Sequence, residues 1–201
     1  MIDPFYPVVP DSAWVVRLVP AGARFIQLRI KDRPEGELRR QIREAHEVCA
    51  KHGADLIVND HWRLAIDEKC AWVHLGQEDL IDADLKAIRR AGLKLGVSTH
   101  DHAELEKGLA ADPDYVALGP IWPTALKKMP WAPQGLERIG EWKRLIRGKP
   151  LVAIGGLTLE RALQCLKAGA DSAAVVGDIV NHVDPLAHAR TWIASTRRVA
   201  A

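Results

Sequence analysis

Eight short stretches of the chain are almost continuously apolar: 5–9, 25–28, 56–58, 72–75, 93–97, 115–118, 151–154 and 173–176. None alternates apolar with polar residues, as a strand with one wet face would. Runs of this kind are the mark of parallel strands covered on both sides. The segments between them change period. Across 35–52, Leu38, Ile42, Ala45 and Cys49 recur at intervals of three and four and predict a helix with one buried stripe. A second helix is predicted over 82–91, with Leu85 and Ile88 inward and Gly92 ending it, and a short one over 62–68. Asp101, with Glu104 three residues on, marks another helix start. A further helix spans 158–168 before Gly169, and Asp184-Pro185 opens the last. Eight strand-then-helix units with short connections predict an α/β protein, a single (β/α)8 TIM barrel forming one domain over 1–201. An open doubly wound sheet is the alternative topology.

Composition narrows the partners. Hydrophobic residues make up 48% and charged residues 27% of the 201 residues, and the net charge is +2. That balance points to no nucleic acid and no membrane partner. Cys49, Cys70 and Cys165 are odd in number and show no CxxC spacing, which argues against a disulfide framework or a zinc site and fits a reducing cytoplasm. Met1-Ile2-Asp3-Pro4 does not start a basic and then apolar targeting segment, and no apolar stretch is long enough to span a bilayer. Homodimerisation is left open.

In a barrel of this type the residues following each strand share one face, where active sites are built. After the second run, Gln27-Leu28-Arg29-Ile30-Lys31 turns Gln27, Arg29 and Lys31 to the same side, and an inward row with two cations calls for an anion. The plainer reading is a surface ion pair with Asp32 or Glu35. Asp60, after Asn59, and Asp79, in His74-Leu75-Gly76-Gln77-Glu78-Asp79, fit a Mg2+ shared with a diphosphate, or equally two helix N-caps. Ser98 offers a donor, and His100 is either a general base or a structural histidine. The long Pro- and Trp-rich stretch 119–135 is a lid or a packed loop. Gly155-Gly156 and Gly177, after the seventh and eighth runs, lie where barrels cradle phosphate on backbone N–H groups.

Taken in order, Gln27-Leu28-Arg29-Ile30-Lys31, Asn59-Asp60, His74-Leu75-Gly76-Gln77-Glu78-Asp79, Ser98-Thr99-His100, Gly119-Pro120-Ile121-Trp122-Pro123-Thr124, Lys127-Lys128 and Ala153-Ile154-Gly155-Gly156-Leu157 resemble thiamine phosphate synthases over nearly the whole chain. The resemblance implies a Mg2+-dependent transferase of thiamine biosynthesis. Such an enzyme joins hydroxymethylpyrimidine diphosphate to a (carboxy)thiazole phosphate, with diphosphate leaving first and the thiazole nitrogen attacking the pyrimidine methylene cation. It implies that Gln27, Leu28, Arg29, Ile30, Lys31, Asn59, Ser98 and Lys127 bind the pyrimidine diphosphate, with Arg29, Ser98 and Lys127 catalytic. Asp60 and Asp79 would hold Mg2+, and Thr124, Ala125, Leu126, Gly156, Val176 and Gly177 the thiazole phosphate. Two positions depart from the family pattern: Leu126 and Gly177 stand where hydroxyl residues are usual. A related thiazole tautomerase, or a non-catalytic barrel binding a thiamine precursor, are the alternative readings.

Overall fold

The computed structural model describes residues 2–124 and 131–200. Eight parallel strands, β1 (Phe5–Val9), β2 (Phe25–Leu28), β3 (Asp55–Asn59), β4 (Trp72–Leu75), β5 (Lys94–Thr99), β6 (Tyr115–Leu118), β7 (Leu151–Ile154) and β8 (Ser172–Val175), close into a barrel in sequence order. An open sheet would leave two strands at edges. Here Phe5, Tyr6 and Pro7 of β1 stand in register with Ala173, Ala174 and Val175 of β8, so the (β/α)8 expectation holds and the open sheet is excluded.

The helices are α1 (Ser12–Leu18), α2 (Glu35–His52), α3 (Trp62–Asp67), α4 (Gln77–Asp82), α5 (Leu85–Arg90), α6 (His102–Ala110), α7 (Glu137–Leu145), α8 (Leu159–Lys167), α9 (Gly177–Val180) and α10 (Pro185–Ala200). The predicted stripe of α2 is buried, and Gly53 ends the helix at φ +63°. Asp101 caps α6 by accepting from Glu104 N at 2.9 Å, but the Glu104 carboxylate returns to His100 N, one residue earlier than a capping box would place it. The helix expected over 82–91 is α5, which begins at Leu85, and α4 ahead of it is a separate helix that the pattern does not predict. Ala83 is extended (φ −81°, ψ 134°), and Asp84 accepts from Ala87 N to start α5 afresh. No helix of the described residues is long and apolar enough to cross a membrane.

Strand alternation sorts the side chains into two cores. Outward residues such as Phe5, Val9, Ile26, Leu28 and Val58 pack under the helices, joined there by Trp142 and Trp192, both fully buried. Inward residues fill the barrel floor with aromatic rings: Tyr6, Phe25, Trp72 and Tyr115, with centroids 4.6 to 6.1 Å apart. Tyr115 fits because its partner on β5 is Gly96; a Cβ there would lie 2.0 Å from Tyr115 Cζ. Toward the C-terminal mouth the inward row changes character. Along β2 it runs Phe25, Gln27, Arg29, Lys31; along β4, Trp72 and then His74; along β5, Gly96, Ser98, His100. The floor is apolar and sealed, and the mouth is polar and open.

Candidate active site

The mouth encloses a cavity of about 850 Å³. Its wall brings together Gln27, Arg29, Lys31, Asn59, Asp60, Asp79, Ser98, Thr124, Gly156, Val176 and Gly177, residues spread from 27 to 177 in sequence. Leu28 and Ile30 are not among them: both side chains turn outward and are buried in the core beneath the helices. Only their backbone edges the site, since neighbouring residues of a strand face opposite sides. Ala125, Leu126 and Lys127 lie outside the described residues.

On the β2–β4 side the wall is charged. Lys31 Nζ meets Asp60 Oδ2, so its anion is on the loop after the neighbouring strand β3 and not at Asp32 or Glu35. Arg29 is exposed and forms no ion pair among the described residues. Neither carboxylate caps a helix: α3 starts at His61 and α4 at Gly76, both without a side-chain cap bond. Burial presses the Asp60 carboxyl upward, but the Lys31 ammonium outweighs it and holds Asp60 below the usual carboxylate range. Asp79, raised by burial and by the facing Asp60 charge, goes the other way. Two like-charged oxygens turned toward each other and the cavity are an arrangement that a cation relieves. Among the described residues no cluster of three or more His, Cys, Asp or Glu is arranged to hold a metal alone. Two carboxylates completed by substrate oxygens and water match what Mg2+ takes.

Asn59 adds a sharper signal. It is 5% exposed, and its Nδ2 has no hydrogen-bond partner among the described residues. Buried donors are almost always paired, so an orphan on a cavity wall marks where a ligand acceptor belongs.

On the β6–β8 side the wall is uncharged over Ala117, Val152 and Ala174 and glycine-rich in the loops after β7 and β8. Gly155 and Gly156 sit at φ +101° and +64°, and a Cβ on Gly156 would come within 2.5 Å of Pro123 O. The glycines are therefore required by the close approach of the β6 loop, which the Trp122 N to Gly155 O bond (3.1 Å) fixes. Gly177 begins α9, the short extra helix after the last strand that barrels use for phosphate. The loop after β6 is pinned at its base by Gln134 N to Pro120 O and Gly135 N to Ile121 O, at 2.8 and 3.1 Å.

Several cavity residues were not assigned roles from the sequence. His74, 7% exposed, links Tyr115 to Ser98, and burial pushes its pKa down to about 4. Gln77 donates to the Ser98 and Glu104 carbonyls. Asp178 is among the residues lining the cavity, and its carboxylate is held by His188 and Trp192 of α10, at 2.7 and 2.8 Å. His100, read as either a general base or a structural histidine, lines the cavity; its Nδ1 meets Glu104 Oε2 at 2.6 Å and its ring stacks on Trp131 at 4.0 Å.

Comparison with known proteins places this geometry. The family model described as thiamine monophosphate synthase matches residues 6–179. A thiamine-phosphate synthase of Rhizobium etli is 63% identical over 195 residues, covering 97% of this chain and 96% of the relative. One from Salmonella dublin is 47% identical over 194 residues, covering 96% and 89%. The solved thiamine phosphate pyrophosphorylase of Pyrococcus furiosus superposes with a TM-score of 0.86 at 23% identity, covering 100% of this chain and 98% of that one, a likeness of fold.

Proposed function

The chain belongs to the thiamine monophosphate synthase family, and from that premise we propose that it makes thiamine phosphate by joining a pyrimidine methylene diphosphate to a (carboxy)thiazole phosphate. The observation that carries the reading is the two-sided cavity: cations, paired carboxylates and the orphan Asn59 donor on one side, a glycine-lined backbone cradle on the other. Two phosphorylated substrates need two such walls facing each other across one reacting bond.

In this reading Arg29 and Lys31 take the diphosphate, Asn59 donates to the pyrimidine diphosphate and Ser98 to the pyrimidine. Asp60 and Asp79 would hold Mg2+, which when bound neutralises charge on the diphosphate oxygens. The carbon–oxygen bond to the diphosphate breaks and its electron pair leaves with the diphosphate. The thiazole nitrogen lone pair then forms the new carbon–nitrogen bond; a carboxylated thiazole also loses CO2. Val8, Ala117, Val152 and Ala174 give the inner wall an apolar surface that keeps water from the methylene cation. Gly156, Val176 and Gly177 hold the thiazole phosphate through backbone, with Thr124 beside them, and Lys127 from the β6 loop meets the leaving group. A cradle of N–H groups needs no hydroxyl at Gly177.

The test is direct. The purified protein, given both substrates and Mg2+, should release thiamine phosphate and diphosphate in equal amounts, and chelation should stop it. No thiamine phosphate under these conditions overturns the reading. Isomerised carboxythiazole phosphate as the sole product would instead select the tautomerase reading, to which the His100–Glu104 pair lends an acid–base couple.

A further inference from the structure

One buried chain of hydrogen bonds crosses the barrel between the aromatic floor and the cavity. Gln27 Nε2 donates to Tyr6 Oη at 2.7 Å, and Tyr6 Oη lies 2.8 Å from Tyr115 Oη. Tyr115 Oη lies 2.7 Å from His74 Nδ1, and His74 Nε2 lies 2.8 Å from Ser98 Oγ. Tyr6 and Tyr115 are 1% and 0% exposed, and the His74 ring stacks on Tyr115 with 17° between planes.

The polarity of this chain follows from its fixed end. An amide NH2 only donates, so Tyr6 oxygen accepts there and its own hydrogen goes to Tyr115 oxygen. The Tyr115 hydrogen then goes to His74 Nδ1. A largely buried ring with both nitrogens on uncharged hydroxyls carries one proton, which is left on Nε2 and donated to Ser98 Oγ. We infer that His74 is a positioning residue: the Gln27–Tyr6–Tyr115–His74 chain holds Ser98 oxygen as an acceptor and so turns its hydroxyl hydrogen into the cavity as a preset donor toward the substrate. Gln77 completes the hold by donating to the Ser98 carbonyl at 2.7 Å, which fixes the backbone from which the hydroxyl projects. A donor oriented before substrate arrives costs no reorganisation in the reaction. The chemical role of Ser98 rests on the proposed reaction; the direction of the chain does not.

Two measurements test it separately. In the 15N-labelled full-length protein without substrate, long-range 1H–15N spectra should show His74 with a pyrrole-type Nε2 and a pyridine-type Nδ1. A pyrrole-type Nδ1 means that Ser98 donates to the ring, and overturns the inference whatever the enzyme does. Tyr115→Phe, which keeps the ring but removes the fixing hydroxyl, should yield mixed tautomers; an unchanged Nε2–H state overturns the relay. In the coupling assay Ser98→Ala and His74→Phe should each lower turnover about tenfold to a hundredfold, the size of one lost hydrogen bond to a reacting substrate. The double variant should be no worse than the poorer single one, because His74 acts through Ser98. Multiplying losses overturn the inference, with thermal unfolding confirming that each variant folds. Complete absence of coupling by the unaltered protein would instead sink the proposed reaction and leave the tautomer result standing.

Discussion

Gly96 has no side chain because Tyr115 uses the space. The ring occupies the position where a Cβ would stand, 2.0 Å from Cζ, on the neighbouring strand of a closed barrel that cannot shift one strand alone. Gly140, on the outside of α7, meets nothing nearer than the end of Arg144 at 3.8 Å. The same substitution should therefore have opposite signs. Gly96→Ala is expected to cost about 3 kcal/mol or more by overpacking, and Gly140→Ala to add about 0.5–1 kcal/mol by restricting the unfolded chain. Thermal unfolding decides, and equal effects at both sites would refute the packing account. Neither requirement is visible in the sequence. Gly96, Gly155 and Gly156 are glycine because of what passes beside them from another element, and that distance appears only once the chain is folded.

Elements were more legible than these contacts. The apolar runs and the α2 stripe registered because both depend on local periodicity alone, and the inward row Gln27, Arg29, Lys31 followed from strand alternation. The start of α5 was misplaced by three residues because Asp82 and Asp84 are both cap-type residues and only the backbone shows which one serves. Helices α1 and α7 were not singled out, although Asp11 caps α1 and Ile139 and Trp142 place a buried pair three residues apart on α7. How α2 is tied to α3 was hidden. Glu68, at the end of α3, accepts from Arg43 Nε and NH2 at 2.9 and 3.0 Å and from Arg39 at 3.2 Å. These guanidiniums, Arg43 foremost, hold the Glu68 carboxyl below its ordinary value. A lowered carboxylate stabilises the fold above its unfolded pKa, about 4.3 for Glu, and that contribution is lost as pH falls through the lower folded value. Arg43 is 59% exposed, so screening keeps the effect under about 1 kcal/mol. Glu68→Gln should be slightly less stable than the parent at pH 7, with the gap closing in acid. A gap constant with pH would show that the pair contributes nothing electrostatic.

At the scale of the whole molecule, one closed barrel carries two walls that recognise different things, and they can be separated by linkage. Asp60 and Asp79 stand on the β3–β4 side, while Gly156 and Gly177 stand across the cavity after β7 and β8. A ligand that binds only the folded state raises stability by about 2.7 kcal/mol at a hundred times its dissociation constant. For a chain of this length that is a rise of about 5–10 °C in the midpoint. Mg2+ with pyrimidine diphosphate should give such a rise in the parent, and so should thiazole phosphate alone. Asp60→Ala should abolish the first response, since it removes one metal ligand and leaves Lys31 without its partner, while the second survives because the cradle is backbone far from residue 60. Gly156→Ala should do the reverse: a Cβ there meets Pro123 O at 2.5 Å and Trp122 Cβ at 2.9 Å, which pushes the two loops of the cradle apart. Loss of both responses in either variant would mean that the walls are not independent. Survival of the Mg2+-dependent response in both Asp60→Ala and Asp79→Ala would remove the metal from the carboxylate pair.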